Sequence, residues 1–169
     1  MRQINPVDGS LLGHKISHAL IASLPFNIES VYDYRIDQNA LILPGSVKEL
    51  SAVSIIEHFD ASNFKHFPQL TSLTLRGVVF KENDFGNLPD GLRNLTLVRS
   101  LVIDTTEVIL NAPQGLTSLN ISHFKHVLTG SERCHDFTFD ITQLSNLKSM
   151  KISGVGLTSL ENLQMPKSV

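Results

Sequence analysis

Along the chain, apolar positions recur in a fixed figure: an apolar residue, two others, a second apolar residue, one other, a third. The figure fits Leu70/Leu73/Leu75, Leu92/Leu95/Leu97, Leu116/Leu119/Ile121 and Leu147/Met150/Ile152, with a weaker copy at Val47/Leu50/Ala52 and a degenerate one at Ile28/Val31/Asp33. The first positions fall at 28, 47, 70, 92, 116 and 147, so the spacings are 19, 23, 22, 24 and 31. A period of about two dozen residues is the mark of a repeat protein. The last two apolar positions of each unit stand two apart, so in a strand both point to one side. One unit cannot bury that side alone. Stacked copies form a continuous core and a parallel sheet, and each unit returns along the opposite side. The long last spacing predicts an insertion within 127–138.

Turn residues punctuate the same figure. Proline stands two or three residues before the first apolar position in five of the six units, as Pro25, Pro44, Pro68, Pro89 and Pro113. Its fixed φ and missing N–H are harmless just outside a strand ladder. Between strands, Asp60 can cap a short helix over the following residues and turn Phe64 and Phe67 inward. Phe80, Phe85, Leu88, Val108, Ile109 and Leu110 supply apolar residues to the returns. Leu101–Ile103 reads as an extra short strand or a bulged return, and Ile141–Asn146 as a turn of helix. Before the repeats, Ser10 can cap a helix running to about Ser23, with Leu12, Ile16, Ala19 and Leu20 on one side. Tyr32, Tyr34 and Ile36 extend the first strand.

The units at Leu88-Pro-Asp-Gly-Leu-Arg-Asn-Leu-Thr-Leu97 and Ala112-Pro-Gln-Gly-Leu-Thr-Ser-Leu-Asn-Ile121 resemble the leucine-rich repeat superfamily. They follow its LPxxLxxLxL subtype, as in FNIP-type repeats and fungal F-box-associated leucine-rich proteins. The resemblance spans roughly residues 24–169 and is carried mainly by 68–152. It implies an α/β leucine-rich repeat solenoid with a parallel concave sheet, an irregular or short-helical convex side, and residues 1–23 as an N-terminal capping helix. It further implies a non-catalytic protein–protein interaction module, in the F-box case one that recognises substrates for a ubiquitin ligase. One landmark departs from the family. The asparagine expected three residues after each strand is replaced by Val78, Ser100, Phe124 and Val155, so the turns must satisfy their backbone groups by other means.

Composition narrows the function. Apolar residues make up 41% of the 169 residues, enough for a folded core. A formal charge of −2 and a pI near 6.4 give no overall electrostatic footprint for nucleic acid. No apolar run is long enough to span a bilayer as a helix, and no signal-peptide core opens the chain. The single cysteine, Cys134, cannot form an internal disulfide, which points to an intracellular, reducing compartment. The chain ends at Val169, where the pitch calls for another unit. This suggests a fragment of a longer solenoid, or a C-terminal edge covered by a partner or a second copy.

Candidate chemistry is sparse. His14 and His18 stand four apart but lack the glutamate of a metalloprotease helix. His123, His126, Cys134 and His135 cluster around the insertion, but their spacing forces neighbouring residues onto one ion, so a zinc site there is only an alternative to a solvated loop. No G-x-S-x-G elbow or glycine-rich phosphate loop is present. Asn94 and Asn120 open glycosylation-type triplets, but both fall on expected strands. The expectation is therefore a protein that is not an enzyme, carries no cofactor and binds a protein partner. Its binding face would hold the outward residues of the concave sheet: Glu49, Ser72, Thr74, Arg76, Asn94, Thr96, Ser118, Asn120, Ser149 and Lys151, with Ser51, Val53, Val98, Ser122 and Ser153 among them.

Overall fold

Six short strands carry the repeated figure, and all six run parallel in one sheet. The structure, a computed structural model, describes residues 28–36, 41, 43–54, 60–81, 84–103, 107–123, 125–127, 138–155 and 159–167. In chain order the strands are β1 (Ser30–Ile36), β2 (Glu49–Ser54), β3 (Ser72–Arg76), β4 (Val79–Phe80), β5 (Asn94–Val98), β6 (Leu101–Ile103), β7 (Glu107–Ile109), β8 (Ser118–Ser122), β9 (Lys125–Val127), β10 (Thr138–Asp140), β11 (Ser149–Ser153) and β12 (Leu163–Gln164). The large sheet has the order β1-β2-β3-β5-β8-β11. Successive units therefore lie side by side, and the chain winds as a solenoid.

Register places like positions together. Leu73, Leu95, Leu119 and Met150 form one inward row, and Leu75, Leu97, Ile121 and Ile152 the next. The first apolar residue of every unit, from Ile28 to Leu147, is at most 3% exposed. These rows make one continuous core with Phe64, Phe67, Phe80 and Phe85 of the returns.

The turn before each strand explains the varying place of proline. In three units the chain reads Pro-x-x-φ, and the amide of the first apolar residue donates to the proline carbonyl: Val47 to Pro44, Leu92 to Pro89, Leu116 to Pro113, at 3.0–3.2 Å. In the unit at Leu70 the acceptor is Phe67 and Pro68 takes the next place, where its fixed φ also suits a turn. In the last unit Leu147 donates to Leu144, and no proline is needed. Pro25 and the expected helix over 10–23 lie outside the described residues.

The first unit departs from the simple pattern. Reading Ile28/Val31/Asp33 as the figure would turn a carboxylate inward. A bulge between Val31 and Tyr34 prevents this: Val31 pairs with Leu50 but Tyr34 with Ala52. Asp33 takes a positive φ of 52° and is exposed, while Tyr34 fills the core position at 6% exposure. An extra residue in one strand re-aims everything after it.

The returns are more extended than an α/β reading implies. Among the described residues the helical pieces are 3-10 segments at Ala61–His66, Asp84–Asn87 and Leu160–Asn162. The first is the helix expected after Asp60, whose Oδ1 accepts from the Ser62 amide at 2.9 Å, with Phe64 and Phe67 buried. Two further three-stranded parallel sheets, β4-β6-β9 and β7-β10-β12, form the other sides of the coils. Leu101–Ile103 is thus a strand of its own. The segment Ile141–Asn146 is not a helical turn but two consecutive tight turns. Leu144 donates to Ile141, and the Thr142 amide to Asp140 Oδ1, so both apolar residues reach the core within too few residues for an α-helix.

In place of an asparagine ladder, the turns after the strands use backbone. The residue following each strand from β3 to β11 in the large sheet has a positive φ: Gly77 at 67°, Arg99 at 50°, His123 at 52° and Gly154 at 60°. Each of the first three donates its amide to the next coil at 2.9 Å: Gly77 to Val98, Arg99 to Ser122, His123 to Ser153. The left-handed residue turns its N–H along the stack and frees the asparagine positions for packing, so Val78, Ser100 and Val155 are buried there.

Candidate partner-binding face

The outward side of the large sheet is assembled from the residues between the buried ones. Side chains alternate along a strand, and the registers align them in three rows. The first is Glu49–Ser72–Asn94–Ser118–Ser149, the second Ser51–Thr74–Thr96–Asn120–Lys151, the third Val53–Arg76–Val98–Ser122–Ser153. Every residue expected on this face from β2 to β11 is therefore brought onto it. Glu49, Arg76, Asn94, Ser149, Lys151 and Ser153 are exposed, and the others are half-buried by their row neighbours.

Two residues of the face escape the sequence pattern. The bulge in β1 turns Arg35 outward, opposite Val53, although an unbroken alternation from Val31 would bury it. Tyr32 is 36% exposed, the large apolar side chain most open to solvent among the described residues. Its hydroxyl donates to Glu49 Oε2 at 2.7 Å, and Ser30 Oγ reaches the same carboxylate at 3.4 Å. The clue was the misfit itself, since an aspartate at a core position calls for a bulge.

The edge where the strands begin carries its own ladder. Backbone carbonyls of Glu29, Lys48, Thr71, Arg93 and Thr117 each accept two amides from the next coil. Lys48 Nζ pairs with Glu29 Oε1 at 2.7 Å, with both side chains about half exposed, so the pair contributes little. Asn120 Oδ1 is enclosed without a hydrogen-bond partner.

Among the described residues no reactive grouping is assembled on this face. Among the described residues no three His, Cys, Asp or Glu side chains could hold a metal ion. His123 is exposed at a strand end, whereas Cys134, His135, the His126 side chain, and His14 and His18 lie outside the described residues. A depression of about 430 Å³ opens between Lys65, Pro68, Leu88, Pro89 and Asp90 on the turn side. It presents one cation and one carboxylate among prolines and glycines and brings no catalytic set together. Among the described residues no helix is long and apolar enough to cross a membrane. The sequence matches no protein-family model and no curated protein.

Proposed function

We propose that this chain is a non-catalytic protein-interaction module of leucine-rich-repeat type, and that the outward face of its six-stranded sheet receives the partner protein. The observation that carries the reading is the three aligned rows of outward side chains, mostly short and polar, from Glu49–Ser149 to Val53–Ser153, on strands held in register by the core. A stack of coils offers such a surface preorganised, so little conformational entropy is lost when a partner docks. The LPxxLxxLxL resemblance extends the reading to substrate recognition beside an F-box in an intracellular ubiquitin ligase.

The test places a photo-crosslinking side chain at position 96, at the centre of the face, or at exposed Ser145 in a turn, and compares captured proteins from the source cells. Capture from position 96 but not 145 is expected, and it is to be lost on Arg76→Glu or Lys151→Glu. Capture from 145 alone, or unchanged capture in both charge-reversed variants, overturns the reading.

A second reading is self-association through the open edge of β11, which has a strand partner only on its β8 side among the described residues. It is favoured by Met150 and Ile152, which are only half-buried where their row neighbours are at most 2% exposed. Light scattering on the purified chain decides it: a monodisperse monomer at micromolar concentration excludes it.

A further inference from the structure

We infer that the edge of the outward face where the strands end is a docking rim for an acidic, extended peptide segment of a partner. The inference rests on the reading of that face as a binding surface and specifies the chemistry of what binds.

Basic side chains collect at this rim by register. Arg35 and Arg76 share one row, on either side of Val53. Arg99 follows Val98, the row neighbour of Arg76, and His123 follows Ser122 one strand further on. All four are exposed. Among the described residues no acidic side chain occupies these two rows. Glu29 and Glu49 lie toward the strand beginnings, Asp33 sits in the bulge of β1 two residues before Arg35, and Asp60, Asp84, Asp90, Glu107, Asp140 and Glu161 belong to the turns and returns.

The backbone adds an independent observation. Positions 77, 99, 123 and 154 all require a left-handed residue, and glycine fills the two ends. Arg99 and His123 hold that conformation at a cost glycine would avoid. Among the described residues neither side chain makes a hydrogen bond or ion pair, so they do not repay that cost there. A basic side chain kept where glycine folds better is accounted for by something outside the fold.

Geometry fixes the form of the partner. At about 4.8 Å per strand, the rim from β1 to β8 spans roughly 19 Å, the reach of about six extended residues. Arginine binds carboxylates through paired, charge-assisted hydrogen bonds. Adjacent hydroxyls of Thr74, Thr96 and Ser122 face the same side and can receive the peptide's amides.

The test uses the full chain and a fluorescein-labelled ten-residue peptide of alternating Glu and Ser, read by anisotropy. Arg99→Gly removes a charge while suiting the backbone, so the variant folds at least as well as the parent, as its thermal midpoint will show. Arg76→Ser removes the central cation, and Lys148→Ser is the control at the opposite edge. Arg99→Gly and Arg76→Ser are each expected to weaken binding about three- to fivefold, the effect of one well-placed exposed ion pair. Lys148→Ser leaves binding unchanged, and rising salt weakens it. The inference is overturned if a Gln-for-Glu peptide binds equally, if Lys148→Ser matches the rim variants, or if both rim variants bind as the parent does. Tighter binding of a ten-nucleotide thymidine strand overturns it in favour of nucleic acid. Capture from position 96 with no effect of the rim variants sinks this inference alone. No capture from position 96 in the otherwise unchanged chain sinks the reading beneath it.

Discussion

Arg99 and His123 show how a single φ value ties folding to surface chemistry. Their left-handed backbone aims an amide at the neighbouring coil, and the resulting bonds to Ser122 and Ser153 measure 2.9 Å. The bond needs the conformation, not the side chain. Arg99→Gly and His123→Gly are therefore expected to stabilise the fold by about 0.5–1 kcal/mol each, measured by urea unfolding. The reverse change at Gly154 should do harm for two reasons. Its φ is 60°, and a Cβ there would lie 3.2 Å from His123 Nδ1. Gly154→Ala is expected to lower stability by about 1 kcal/mol or more, and an unchanged midpoint would show that the turn relaxes. Asn120 is a different case: its enclosed Oδ1 bonds to nothing, yet its row neighbour is Thr96. Asn120→Thr extends the hydroxyl row without an orphan acceptor, and a stability equal to or above the parent's is the expected result.

At the scale of elements, each strand is short because it has one task, to place two inward residues in the stack. Removing one from the middle opens a cavity walled on both sides by neighbouring coils. Leu97→Ala, at a position with no exposure, is expected to cost about 2–5 kcal/mol. Ile152→Ala, at a half-buried position on the last strand, should cost clearly less, and denaturant melts of the two variants check the ranking. The cap at Asp60 holds the first 3-10 segment, and behind it Phe64 and Phe67 are buried. Asp60→Ala is expected to cost about 1 kcal/mol. Elements differed in how far they could be read. The inward rows from β2 to β11 were legible because their period of two is written in apolar residues, mainly leucine and isoleucine. The sheets β4-β6-β9 and β7-β10-β12 were not, because two- and three-residue strands carry too little periodicity to tell from irregular chain.

As a whole molecule the solenoid is quasi-one-dimensional, each coil being held by the coils on either side. Stability should then fall toward a coil that lacks one neighbour. Hydrogen exchange is expected to be slowest across Leu95–Leu97 and distinctly faster across β11, whose Met150 and Ile152 are half-buried. Uniform protection over the two strands would mean that the edge is covered in solution. The same geometry distributes function. Charges separated by 40 or more residues, such as Arg35 and Arg76, meet on one rim because successive coils lie in register.

By itself the sequence determined the stacking pitch, the identity of the buried rows and the outward residues from Glu49 to Lys151. All three follow from local alternation repeated at a near-constant period, which needs no knowledge of distant contacts. Tertiary structure alone decided the bulge that turns Arg35 out and Tyr34 in, the backbone ladder that replaces the asparagines, and the gathering of cations at the strand ends. Those outcomes depend on what lies in the neighbouring coil, whose carbonyls, row partners and charges are close in space and far apart in the chain.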